Sequence, residues 1–165
     1  MGAFIVDVNV AVAANGSHSR ATPQHQIACI QALREARAGV LCLDDNDHIL
    51  HEYRRNLSMS GQPGPGDEFM HWVHQNQANA AHCERVRIVP RDTGGTDFEE
   101  FPDDPDLAGF DRSDRKYVAV ALSSSRDPEV INATDRDWWQ FRKALKRHGV
   151  RIRFVCPDLM TGARR

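Results

Sequence analysis

Short apolar runs alternate along this chain with longer stretches whose apolar positions recur at helical spacing. Ala3-Phe4-Ile5-Val6 is apolar without alternation, and residues 3–8 predict a strand covered on both faces. Asn15-Gly16-Ser17 reads as a loop. Pro23 opens a helix, Gln24 to Ala38, with Ile27, Ile30, Ala32, Leu33 and Ala36 on its stripe and Gly39 at its end. Val40 to Leu43 predicts a second strand. Asp44 to Asn46 caps a helix to about Leu57, with Ile49, Leu50, Tyr53 and Leu57 inward. Ser58 to Gly66, containing Gly61-Gln62-Pro63-Gly64-Pro65-Gly66, is a loop, and Asp67 starts a helix to about Ala81.

Val86-Arg87-Ile88-Val89 predicts the third strand, and Pro90 to Gly109, rich in Asp, Glu, Gly and Pro, a long exposed loop. It reads as a solvated connection or an acidic flap beside a site. Asp114 to Ser123 is a small-residue helix, Val130 to Asn132 a fourth strand, and Asp135 to Arg147 a helix with Trp138, Phe141 and Leu145 inward. Val150 to Val155 is a fifth strand whose interleaved polar residues put it at an edge. Strand and helix alternate throughout, which predicts a three-layer α/β/α domain on a mainly parallel five-stranded sheet with right-handed crossovers. One domain over residues 1–157 is expected, with a frayed C-terminal tail, 158–165, ending in Arg164-Arg165.

Composition narrows the class. The 165 residues suffice for one buried core, and 41% hydrophobic with 27% charged residues is ordinary for a globular chain. A net charge of −2 gives no overall positive field, so binding of nucleic acid needs a local basic patch. No apolar run approaches the roughly 18 residues of a membrane span, and Met1-Gly2-Ala3-Phe4 has no basic region of a signal peptide, so a cytoplasmic location is expected. Cys29, Cys42, Cys83 and Cys156 form no C-x-x-C pair and read as buried free thiols.

The candidate chemistry lies in acids placed at strand ends and helix starts: Asp7 after the first strand, Glu52 inside Ile49-Leu50-His51-Glu52-Tyr53-Arg54-Arg55, Asp114 at the head of Asp114-Arg115-Lys116-Tyr117-Val118, and Asp135, with Asp137 behind it, after Val130-Ile131-Asn132. Sites in open α/β sheets form outside the carboxyl ends of the strands. Acids gathered there make a hard oxygen cage suited to Mg²⁺ or Mn²⁺ and to phosphate chemistry. Each has a plainer reading: Asp7 as a turn or capping residue, Glu52 as a surface partner of an arginine, Asp114 and Asp135 as helix caps, Asp137 as a solvated neighbour. Asp44 rivals Glu52, and Asp111 rivals Asp114.

Taken in order, these segments resemble a PIN domain, the nuclease fold related to flap endonucleases. Ile5-Val6-Asp7-Val8-Asn9-Val10 resembles that family's first-strand motif. Ile49-Leu50-His51-Glu52-Tyr53-Arg54-Arg55-Asn56-Leu57 resembles its second-acid helix, and Phe110-Asp111-Arg112-Ser113-Asp114 through Leu122 its third. Val130-Ile131-Asn132-Ala133-Thr134-Asp135-Arg136-Asp137-Trp138 resembles its fourth motif. The resemblance implies divalent-metal-dependent cleavage of single-stranded or structured RNA, with catalytic Asp7, Glu52, Asp114 and Asp135 and with Asp137 assisting at the metal. Asn9 would orient Asp7 or bind phosphate. Family members include toxins of toxin–antitoxin pairs and RNA-processing ribonucleases, so an antitoxin or regulatory protein and a homodimer are implied partners. Two departures stand out: Val8 replaces a hydroxyl residue, and Pro90–Gly109 is longer and more acidic than in minimal toxins.

Arg112, Arg115, Lys116 and Arg136 flank the third and fourth acids, Arg54 and Arg55 follow the second, and Arg142, Lys143, Lys146, Arg147, Arg151 and Arg153 make the C-terminal quarter basic. They read as backbone contacts to RNA or as solvated faces. His48 with His51, His71 with His74, and His82 with Cys83 lack the spacing of a structural zinc site. Trp138 reads as core; Trp139 reads as packing or a base-stacking surface. Two rivals remain: a haloacid-dehalogenase-like phosphatase, whose second Asp is missing at Asn9, and a PIN-like module that binds RNA or protein without cutting.

Overall fold

The computed structural model describes residues 2–161. Five parallel strands form one sheet in the order β3-β2-β1-β4-β5: β1 Ala3–Val6, β2 Val40–Asp44, β3 Cys83–Val86, β4 Glu129–Asn132 and β5 Arg151–Phe154. Helices α1 Val8–Ala14, α2 Pro23–Ala38, α3 His48–Asn56, α4 Pro65–Asn76, α5 Arg115–Ser123, α6 Arg136–Gln140, α7 Arg142–Arg147 and α8 Pro157–Thr161 flank it, giving the expected α/β/α layers. β1 and β2 are buried along their whole length, as their unbroken apolar runs require, whereas β5 is partly open at the edge. Phe4, Ile5 and Val6 pair with Glu129, Val130 and Ile131 of β4, so β1 and β4 end side by side.

Several boundaries differ from the sequence pattern for local reasons. Residues 7 and 8 do not extend β1: Asp7 caps α1 by accepting from the Asn9 N–H. α1 has almost no polar face, with Val8, Val10, Ala11, Ala13 and Ala14 buried, so no amphipathic period marks it. It packs against α2 and α4. Gly66 permits the α4 contact, because a Cβ there would lie 2.0 Å from the Ala11 carbonyl oxygen. α4 accordingly begins at Pro65 and stops at Asn76, short of Ala81.

The third strand is Cys83–Val86 rather than 86–89. Its polar residues are held at the sheet edge, where Glu84 accepts from Ser124 and Arg126, and Arg85 donates to the Asp44 carbonyl. The helix expected over Asp135–Arg147 breaks at Phe141, whose ring packs edge-on against Phe110 at 5.7 Å. The segment 90–109 is anchored rather than loose: Phe98, Phe101 and Leu107 are buried, Pro90 bridges to Phe98, and Pro105–Leu107 form a 3₁₀ turn. Where a frayed tail was expected, α8 buries Met160 and Asp158 pairs with His25; Arg164-Arg165 lie outside the described residues. All four cysteines are free and buried. No helix among the described residues is long and apolar enough to cross a membrane.

Candidate metal centre

Because β2 and β3 lie on one side of β1 and β4 and β5 on the other, the chain leaves β1 and β4 in opposite directions. The crevice at such a reversal is where open α/β sheets hold ligands. Asp7 closes β1 there, its N–H donating to the Ile131 carbonyl at 3.1 Å. Asp135 follows β4 and caps α6 by accepting from the Asp137 N–H at 2.9 Å. Asp114 ends a 3₁₀ turn, Arg112–Asp114, at the head of α5, which lies against β1, β2 and β4.

Asp7, Asp114 and Asp135 each offer one carboxylate oxygen within 4.8 Å of the others, and they are the only such group of three or more metal-ligating side chains among the described residues. Both oxygens of Asp7 are held: Oδ1 accepts from the Asn9 N–H and Oδ2 from the Trp138 indole Nε1 at 3.0 Å. Asp114 is different. It is 5% exposed, and its Oδ2 has no hydrogen-bond partner. A buried acceptor left unpaired costs about 1–3 kcal/mol, so this oxygen is poised for a cation.

Burial, then the charges of Glu52 and Asp135, push the Asp7 carboxyl up to about 7, against the opposing pull of the Asn9 N–H and Lys116. Burial and the neighbouring Asp7 and Asp135 raise Asp114 well above the usual carboxylate range. Burial, followed by Asp135 and Asp111, also raises Asp137. Like charges brought together out of water hold protons until something positive replaces them. Three clustered carboxylates, Asp7 and Asp114 buried and Asp135 half-buried, that accept and cannot donate when ionised fit a hard divalent cation.

The remaining expected residues take distinct places. Glu52 stands beside this trio rather than in it: its Oε1 accepts from the Tyr117 hydroxyl at 2.5 Å and lies 3.1 Å from Lys116 Nζ. Asp137 caps the neighbouring turn, accepting from the Asp111 N–H at 2.7 Å. Asp111 is exposed and accepts from the Ser113 N–H and hydroxyl, so the geometry brings Asp114 to Asp7 instead. Asp44, the rival of Glu52, is a fully buried cap accepting from Asn46, His48 and Ile49 N–H groups. Asn9 braces the crevice: its Nδ2 donates to Asn132 Oδ1 at 2.7 Å and its Oδ1 accepts from the Ala133 N–H.

The cations divide more sharply than the sequence suggests. Arg136 is exposed and has no side-chain partner among the described residues. Arg112 is tied to Asp92 and Thr96. Lys116 is buried against Glu52. Arg115 is 7% exposed and is no free surface cation; it pairs with Asp97 at 3.0 Å, donates to the Ala108 and Phe110 carbonyls, and lies 4.4 Å over the Phe101 ring. Acids of the 90–109 segment thus hold two of the four predicted phosphate contacts. In the C-terminal quarter, Arg147 pairs with Asp104 and Asp106, and Arg153 with Glu35 and Glu129, while Arg142 stacks on Trp139 at 3.8 Å.

Two supporting residues, Tyr117 and Trp138, do more than pack. Tyr117 clamps Glu52 and accepts from the Val8 N–H, and Trp138 holds Asp7. A signal existed: a buried indole or phenol needs a polar partner, and both sit within three residues of a candidate acid. The chain matches no family model, no curated protein and no solved structure.

Proposed function

We propose that this chain is a Mg²⁺- or Mn²⁺-dependent endoribonuclease of the PIN-like kind, acting in the cytoplasm. One observation carries the reading: the buried, unpartnered Asp114 Oδ2 in a three-carboxylate group with Asp7 and Asp135 at the sheet's switch point. Asp7, Asp114 and Asp135 would hold the ion, with Glu52 and Asp137 at the rim. The ion supplies Lewis acidity toward a phosphodiester and toward an attacking water. Trp138 and the Asn9 N–H fix the Asp7 carboxylate, and Asn9 with Asn132 fixes the turn that carries Asp135. Lys116 neutralises Glu52, which lowers the repulsion on Asp7. Arg136, unpaired beside Asp135, is free to meet a phosphate of the strand. Four free buried thiols accord with a reducing compartment. An antitoxin-like regulator or a second copy of the chain is the protein partner that the family resemblance brings with this reading.

The test is cleavage of a pool of single-stranded and structured RNA with Mn²⁺, with EDTA, and with Asp7→Asn protein whose melting curve is cooperative. Cutting that needs both metal and Asp7 supports the reading. No cutting by folded wild-type protein with Mn²⁺ refutes it and favours a binding module. A trapped aspartyl-phosphate at Asp7 would instead indicate phosphatase chemistry, against which Asn9 stands where a second acid is required.

A further inference from the structure

A second feature borders the carboxylates and has the opposite charge. Between α3, the Gly94–Thr96 turn and the head of α5 lies a pocket of about 340 Å³. Its walls include His48, Arg55, Arg112, Ser113 and Lys116 and no acidic residue. Asp92 and Glu52 hold Arg112 and Lys116 from outside that wall. Arg55 has no ion pair or side-chain hydrogen bond among the described residues, and Arg112 keeps Nη1 without a partner.

His48 gives the second, independent observation. Its ring meets Phe98 edge-on at 5.3 Å, and Gly95 closes over it so tightly that a Cβ would lie 2.8 Å from His48 Cε1. Gly95 holds φ +66, a conformation that favours glycine, so the close approach is built into the turn. The ring is fixed, yet its Nε2 is buried with no partner. An unpaired guanidinium and two further cations beside a fixed imidazole, with no carboxylate in the wall, fit a tetrahedral oxyanion. Lys116 is the shared wall: it lines the pocket and touches Glu52, whose charge acts on Asp7. His48 and Glu52 lie four residues apart on α3, so one helix face serves both sites.

We propose that this pocket is a phosphate subsite, taking the phosphate of a nucleotide next to the one held at the carboxylates. Its role in a nucleic-acid strand rests on the nuclease reading; its binding of phosphate does not. The phosphate is either an internal phosphodiester or a terminal phosphomonoester of the strand.

The experiment follows the histidine side-chain resonances of the full chain by ¹⁵N NMR, in EDTA, as inorganic phosphate is added against a chloride control of equal ionic strength. Saturable shifts of His48, weakened on the order of tenfold in Arg55→Gln, are expected. Arg55 is exposed, so an unchanged backbone spectrum shows that this variant is folded. Fluorescence anisotropy then compares metal-free binding of one RNA oligonucleotide with a 5′-hydroxyl or a 5′-phosphate end. Equal affinities, with the salt slope reduced by about 1 in Arg55→Gln, assign an internal phosphodiester. A 5′-phosphate preference lost in Arg55→Gln assigns a terminal one. No His48 response to phosphate beyond the chloride control overturns the subsite, even if the protein cuts RNA. A response without any RNA cleavage keeps the subsite and removes the nuclease reading.

Discussion

Asp114→Asn is expected to stabilise the metal-free protein at neutral pH, although it removes a residue of the site. In the folded chain the Asp114 carboxyl is held protonated well above neutrality by burial and by Asp7 and Asp135, while its ordinary value is 3.8. The folded state therefore binds a proton that the unfolded state has released. Stability falls as pH rises wherever the folded state binds more protons, so the penalty begins near 3.8 and grows through neutrality. At ~1.36 kcal/mol per pH unit, the gap from 3.8 to an assay at about pH 7.5 sets a ceiling of about 5 kcal/mol. Asn keeps the shape, carries no titrating charge, and puts an N–H beside Asp135 or where Oδ2 has no partner. Water penetration and relaxation reduce the ceiling, and a net gain of about 1–3 kcal/mol is the working figure. For a domain of this size that raises Tm by roughly 2–4 °C per kcal/mol.

The assay is thermal or urea unfolding of both proteins in EDTA across the acid-to-neutral range. The curves should meet near pH 4 and separate as pH rises, with the variant above. Adding Mn²⁺ should raise wild type by its binding free energy and the variant by less, narrowing or reversing the order. A variant less stable than wild type at pH 7.5 in EDTA, or a difference independent of pH, would refute the idea that Asp114 is a buried acid strained by its neighbours.

Metal affinity should rise with pH through about 7 and keep rising above it, because the Asp7 proton and the more tightly held Asp114 proton must both leave; calorimetry in buffers of different ionisation enthalpy should detect proton release on Mn²⁺ addition. Arg115→Ala should cost about 2–3 kcal/mol in urea unfolding, because it leaves half-buried Asp97 with Arg91 alone and removes the donor to the Ala108 and Phe110 carbonyls. A cost below about 1 kcal/mol would return Arg115 to the surface cations. Gly66→Ala should cost about 2 kcal/mol or more, since its Cβ would overlap the Ala11 carbonyl oxygen and force α4 off α1; an unchanged Tm would disprove that contact.

The layered fold was readable because its periods are local. The unbroken apolar runs of β1 and β2 and the Ala32, Leu33 and Ala36 part of the α2 stripe each report burial through a few neighbouring residues, whereas Ile27 of that stripe faces outward. What escaped was set by distant partners. α1 has no amphipathic period because α2 and α4 cover it, and its first residue, Val8, reads equally well as strand. β3 carries Glu84 and Arg85 into a strand because Ser124, Arg126 and the Asp44 carbonyl receive them. The break at Phe141 follows the aromatic stack on Phe110, which no helical spacing encodes.

The site divides along the same line. Asp7, Asp114 and Asp135 were legible because each sits at a strand end or helix head, and the sheet alone brings those ends together. Which cations stay free was not legible, because a charge is neutralised by whatever the fold places beside it. Arg115 and Arg136 look equivalent in sequence, each one residue after a candidate acid. Asp97, arriving from the long acidic segment, buries the first, and nothing among the described residues pairs with the second. Acids of that segment withdraw Arg112 and Arg115 into fixed pairs, whereas Arg55 and Arg136 have no partner among the described residues. Removing Asp92 or Asp97 should therefore disturb the order of the 90–109 segment more than it changes the charge at the carboxylates. An apparently excess acidic loop works here as the scaffold that orients positive charge.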